Sequence, residues 1–204
     1  MSDTLLSVLT GESWSWDSDD ANQITFNKDG TGTLICRAEL NVWIAAEFDW
    51  KPQDAECLEQ RIDLASNTPK HPSLLSQCTI EITLTKRRIP RLGDVDMQKR
   101  IINEELLTDA AFLPKQYAIK LEVGQFLSAF DAREHVKCAP RFARRITFDK
   151  SPYPPREEWK NPDGAPDALK FWEWKEFSCH RLPEKIESSG EGIFSKILGS
   201  LGGR

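Results

Sequence analysis

The chain has 204 residues, 29% of them charged and 39% hydrophobic, and 27 basic against 32 acidic side chains leave a formal charge of -5. That balance excludes a general nucleic-acid binder, and no run approaches the roughly 18 apolar residues of a membrane span. A chain of this length can bury roughly 70% of its unfolded surface, enough for one good core without disulfides or metals.

The first residues carry no basic cluster, an acidic Asp3 and too few apolar side chains for a secretory signal. The cysteines (Cys36, Cys57, Cys78, Cys138, Cys179) are odd in number and scattered, as reduced thiols are, so a cytoplasmic location is expected.

Along the chain the dominant apolar period is two, the signature of half-buried strands. An opening strand is predicted over Glu12 to Asp17, with Trp14 and Trp16 in phase. Ile24 and Phe26 follow, then a turn at Lys28, Asp29 and Gly30, and a return strand with Leu34, Cys36, Ala38 and Leu40 on one face. Ile44, Ala46, Phe48 and Trp50 make the next, which Pro52 ends by removing a ladder donor. Cys78, Ile80, Ile82 and Leu84 make another, and Tyr117, Ile119, Leu121 and Val123 one more. Weaker strands are predicted over Arg145 to Lys150 and over Ala168 to Cys179, the last aromatic on both faces. The expected fold is all-β: eight antiparallel strands closed into an up-and-down barrel with one short helix and a flexible C-terminal tail.

The connections carry separate signals. Gln53 to Gln77 is a polar flap in which Arg61 to Leu64 could add a short strand. Asp94 to Leu113 is the helix candidate, with Asp94 as cap, Ile102, Leu106, Ala110 and Leu113 as its stripe, and Pro114 as its end. Five prolines between Ser151 and Ala168 predict a stiff, irregular connection lying over the surface. Residues 1–186 are expected to form the barrel domain and 187–204 a flexible tail. In the tail, Ile193, Phe194, Ile197, Leu198 and Leu201 form an apolar stripe over 193–201 that a protein partner could cover.

This pattern resembles the lipocalins and the wider calycin group. The residues that carry the likeness are Leu9, Thr10 and Gly11 with Trp14, similar to the opening signature that closes the barrel floor, and Ile24 to Gly32, similar to the first hairpin. Arg181 would correspond to the arginine that stacks on the signature tryptophan. The spacing departs from the family in that Glu12 and Ser13 separate Gly11 from Trp14. The resemblance implies a barrel that holds a small hydrophobic molecule.

Trp43, Phe48, Trp50, Tyr117, Trp172 and Trp174 are the candidate ligand wall, because aromatic faces give large apolar contact and indoles add an orienting N–H. Trp14 and Trp16 are further candidates, and for each the competing role is plain core filling. Catalytic candidates are Glu173, His180 and Arg145, charged groups near strands of ambiguous phase whose burial would tune them. His135 with Cys138, and Cys179 with His180, could be halves of a zinc site but lack a recognised spacing, so neither metal nor cofactor is expected. Hydrolase and phosphate-loop motifs do not occur. The leading function is binding of a small hydrophobic or aromatic molecule, entering at a mouth bordered by Gln53 to Gln77 and Asp94 to Leu113. A cofactor-free isomerase or cyclase in the same cavity is the second, and a scaffold acting through its surface and tail the third. An enclosed apolar cavity of about 300 Å³ or more would favour the first two and a core filled by its own tryptophans the third.

Overall fold

Alternate side chains of a strand point to opposite faces, so each segment of period two can wall a closed sheet whose inside is apolar. The computed structural model describes residues 3–38, 41–64, 68–89 and 102–183. In chain order the strands are β1 (Asp3–Thr4), β2 (Trp14–Ser15), β3 (Gln23–Phe26), β4 (Thr31–Ala38), β5 (Asn41–Pro52), β6 (Arg61–Ile62), β7 (Ser73–Arg88), β8 (Lys115–Phe126), β9 (Phe142–Phe148) and β10 (Glu176–Arg181). All but β1 and β6 close into an eight-stranded antiparallel barrel in the order β10-β2-β3-β4-β5-β7-β8-β9, and β1 pairs with β6 as a separate ribbon. The seam between β10 and β2 is narrow, with Ser178 opposite Ser15 as its one register pair. No helix among the described residues is long and apolar enough to cross a membrane.

The predicted inward residues Leu34, Cys36, Ile80, Ile82, Ile119, Leu121 and Phe148 are all buried. The bore between them is filled by rings. Phe26 meets Phe48 edge-on at 5.5 Å and Trp50 at 5.2 Å, and Phe148 meets Tyr117 at 6.0 Å and Phe177 at 5.8 Å. Gly32 stands opposite Phe48 in the β4–β5 ladder, and a Cβ there would collide with the Phe48 ring, so only glycine fits.

One end of the barrel is closed by α1 (Leu5–Leu9). Thr4 and Ser7 form a reciprocal capping box, Leu5, Val8 and Leu9 are buried, and the Trp14 indole N–H donates to the Leu9 carbonyl at 3.0 Å. The other end is closed by the chain between β9 and β10. Ser151, Pro152, Tyr153 and Pro154 are buried, contrary to the surface course expected of so many prolines. Prolines fix φ and carry no backbone N–H that would need an acceptor, so a stiff extended segment can carry one side chain into a hole at little cost in entropy. Here that side chain is Tyr153, whose hydroxyl donates to the Ile35 carbonyl of β4 at 2.7 Å. Its ring touches Phe171, Trp174 and Phe177, which joins the cap to the rings of the bore.

Several expectations need correction. The opening strand is only Trp14–Ser15, because the Asp17 carboxylate captures the backbone N–H groups of Asp19, Ala21 and Asn22 and bends the chain into a turn. The last strand starts at Glu176, not Ala168. Gly164 at φ 105 and Pro166 start α4 (Ala165–Leu169), Lys170 turns left-handed at φ 51, and Phe171–Glu173 form a 3₁₀ turn. That segment is aromatic on both sides because it wedges into the mouth and is no strand. The helix before β8 is α2 (Ile102–Leu106), followed by a 3₁₀ turn at Asp109–Phe112, and Leu113 is 60% exposed, so the expected single stripe breaks. Asn103 anchors α2: its side-chain amide donates to the Ala45 carbonyl at 2.9 Å and accepts from the Ala45 N–H at 3.1 Å. A further short helix, α3 (Ala129–Arg133), packs beside β10. The two connections expected to border one mouth lie at opposite ends, as consecutive connections of a meander must. Asp94 and the tail 187–204, including the 193–201 stripe, lie outside the described residues.

Burial holds the Tyr153 phenol well above its ordinary value, with the Cys36 and Asp17 environments adding to the shift. An unfolded chain ionises this tyrosine near pH 10, whereas the folded chain keeps it protonated. The stability this contributes is complete below that pH and lost as pH rises through the folded value. Tyr153→Phe should cost about 1–2 kcal/mol at neutral pH through the unpaired Ile35 carbonyl. In urea unfolding followed toward alkaline pH, the variant should also lose stability less steeply than the natural chain; equal slopes would show that Tyr153 is not the coupled group.

Candidate functional site

Clefts large enough for a small ligand lie at the rim and along the β10–β2 seam. The segment from Ser151 to Trp174 folds across the mouth as a strap, and its own hydrogen bonds set its shape. Ser151 Oγ donates to the Phe171 carbonyl at 3.0 Å and accepts from the Tyr153 N–H at 3.2 Å. The Trp159 indole donates to the Pro154 carbonyl at 3.0 Å, and the Trp174 indole to the Leu169 carbonyl at 3.1 Å. The strap is tied to the chain after α2 by the Leu107–Trp159 bridge and by the Thr108 N–H donating to the Glu158 carbonyl at 2.8 Å.

On one side of the strap a cleft of about 290 Å³ is walled by Tyr117, Tyr153 and Trp172, with Lys115, Lys150 and Glu158 among its polar groups. Glu158 is buried on the strap's 3₁₀ turn, and its Oε2 lies 3.0 Å from the Lys115 ammonium. The two form a short, largely buried ion pair in which each satisfies the charge of the other. The Lys115 ammonium donates to the Ala110 and Ala111 carbonyls, each at 3.1 Å. The Lys150 ammonium stands 5.2 Å from the centre of the Tyr117 ring. Burial raises the Tyr117 phenol above its ordinary value, and the Glu158 and Asp149 carboxylates push it the same way, so it stays a donor at neutral pH.

On the other side, Trp16 and Trp174 stack face to face at 3.5 Å, and Arg133 from α3 lies 5.0 Å over Trp16. Clefts of about 250 and 360 Å³ flank this stack. A fourth cleft, of about 320 Å³, follows the β10–β2 seam and is lined mainly by serine hydroxyls and charged groups.

The predicted ligand wall is divided by this arrangement. Tyr117 and Trp172 share the first cleft, and Trp174 lies across the strap beside Trp16. Phe48 is fully buried in the bore, and the Trp50 indole is committed to the Asn27 and Thr31 carbonyls at 3.1 and 3.0 Å. Trp43 packs toward Phe171 at 6.4 Å, and its buried indole N–H has no hydrogen-bond partner among the described residues. The three catalytic candidates do not meet. Glu173 is exposed and lines the cleft beside Trp174, His180 Nδ1 lies 2.9 Å from Glu12 in the seam cleft, and Arg145 bonds Glu122 and Glu176 on the outer wall. Arg181 is exposed; the arginine found over a tryptophan is Arg133 on Trp16. Among the described residues no group of three His, Cys, Asp or Glu side chains is placed to hold a metal ion.

Glu158, Lys115, Lys150 and Tyr153 escaped the sequence reading. The usable signal for Tyr153 is an aromatic residue framed by Pro152, Pro154 and Pro155; the charged residues carry none, because pairing across the strap depends on the fold. Compared with known proteins, the chain matches no family model, no curated protein and no solved structure. The eight-stranded closed antiparallel barrel is compatible with a lipocalin-like fold, and the resemblance goes no further than that.

The cysteines differ sharply in their surroundings. Cys138 is exposed, burial pushes Cys78 up to about 12, and burial holds Cys36 and Cys179 high as well. A thiol reagent near neutral pH should modify Cys138 first and Cys36 and Cys179 only after unfolding, as read by peptide mass spectrometry. Early labelling of Cys36 would mean that the mouth opens.

Proposed function

We propose that the protein binds a small aromatic molecule in the cleft between Trp172, Tyr117 and Tyr153, in the cytoplasm, where its scattered reduced cysteines place it by expectation. One observation carries the reading: aromatic walls meet a few convergent charged groups, Lys150 and the Lys115–Glu158 pair, in a cleft of about 290 Å³. Apolar walls with a few convergent polar groups are what ligand sites consist of. The volume lies at the small end of the usual ~300–1,000 Å³, which suits one or two rings better than a long acyl chain. A scaffold is the second reading, favoured by the rings that fill the bore.

A neutral fluorescent probe such as 1-aminoanthracene separates the two. Its emission should rise saturably with the natural chain, and Trp172→Ala should weaken binding by up to about tenfold, the upper end of the ~0.5–1.5 kcal/mol of one ring contact. Unchanged affinity in that variant would move the ligand elsewhere, and a wholly unsaturable response would favour the scaffold.

A further inference from the structure

We propose that the ligand of this cleft is an aromatic anion, its ring against Trp172 and its carboxylate or sulfonate at the rim beside Lys150 and the Tyr117 hydroxyl. This rests on the binding reading above and adds the charge and orientation of what is bound.

The argument is a balance of charge and of hydrogen-bonding capacity. Three charged side chains line the cleft: Lys115, Lys150 and Glu158. Lys115 and Glu158 are opposed at 3.0 Å, and both are mostly withdrawn from solvent, with 20% and 11% of their side chains exposed. That pair is internally neutral. Lys150 remains as a cation, and among the described residues it has no carboxylate within ion-pair distance. The nearest candidate in sequence is Asp149, whose carboxylate accepts the Ala118 and Lys150 backbone N–H groups at 3.0 Å each and does not line the cleft. A chain with a formal charge of -5 therefore presents a locally positive cleft.

The hydroxyl groups sort in the same way. Tyr153 has committed its hydroxyl to the Ile35 carbonyl, so it offers the cleft a ring and no polar atom. Tyr117 keeps its proton at neutral pH, its hydroxyl has no hydrogen-bond partner among the described residues, and the Lys150 ammonium stands over the face of its ring. An ammonium and a phenol O–H together recognise an anionic oxygen through charge-assisted hydrogen bonds.

The test compares indole-3-acetate with its uncharged isostere indole-3-acetamide by calorimetry on the full chain, at low and at high salt. Indole-3-acetate should bind about tenfold more tightly at low salt, the scale of one charge-assisted contact, and should lose most of that advantage at high salt. Lys150→Gln should abolish the preference while leaving the melting temperature unchanged, since the Lys150 side chain is exposed. Tyr117→Phe should reduce the preference in part. Equal affinities for acid and amide, with Lys150→Gln silent, would overturn the anion assignment and leave the aromatic cleft standing. A preference that survives Lys150→Gln would place the anion elsewhere and also overturn it. Binding of neither probe would overturn the cleft reading and this inference together.

Discussion

The hydrogen bond from the Tyr153 hydroxyl to the Ile35 carbonyl is the point on which the mouth of the barrel depends. It ties a segment between β9 and β10 to β4, which lies across the barrel in the strand order. Around it the rings form one continuous column: Tyr117 to Phe148, Phe148 to Phe177, Phe177 to Tyr153, and Tyr153 to Phe171 and Trp174. Each contact is a tilted or edge-on arrangement of modest energy, and the column matters because displacing one ring exposes two others. The cap and the bore therefore share one core, and the strap holds its place by packing as much as by its own turns.

A consequence is that recognition shifts from the strands to the strap. In a barrel with an empty bore, inward strand residues would select the ligand. Here Phe26, Phe48, Phe148 and Phe177 crowd that space, and a cleft of about 290 Å³ opens where strap meets rim. The first cleft accordingly takes Tyr117 and Lys115 from β8 and Glu158, Tyr153 and Trp172 from the strap. Rigid strands position one wall and a segment tied by side-chain and backbone bonds positions the other, which is how a loop obtains the precision that a ligand requires.

What could be read from the sequence follows from the range of the interactions involved. Strand phase is local, so Ile80, Ile82, Ile119 and Leu121 announce their burial by alternating with Glu81, Thr83, Lys120 and Glu122. The eight-strand closure follows from the number of such segments. The strap is different: Phe171, Trp172 and Trp174 alternate like a strand, yet Gly164, Pro166 and the left-handed Lys170 impose helical turns, and tertiary packing decides the outcome. The expected ligand wall failed to converge for the same reason. Trp50 and Phe48 share an inward phase with any cavity-lining residue, and phase does not distinguish a ring that lines a hole from one that fills it.

The polar groups of the cleft show why burial alone is a poor guide to a site. Ser151 and Trp159 are buried with their side-chain donors satisfied, and they explain the shape of the strap. Glu158 is buried as well, and one of its oxygens is paired with the Lys115 ammonium at 3.0 Å. A buried ion pair gains little net stability, since desolvating both partners offsets most of their attraction. The work of this pair is positional: the Lys115 ammonium holds the Ala110 and Ala111 carbonyls and draws Glu158 of the strap toward β8. With that pair satisfied from within, Lys150 is left as a charged group of the cleft that, among the described residues, has no carboxylate partner, and it stands beside the aromatic walls.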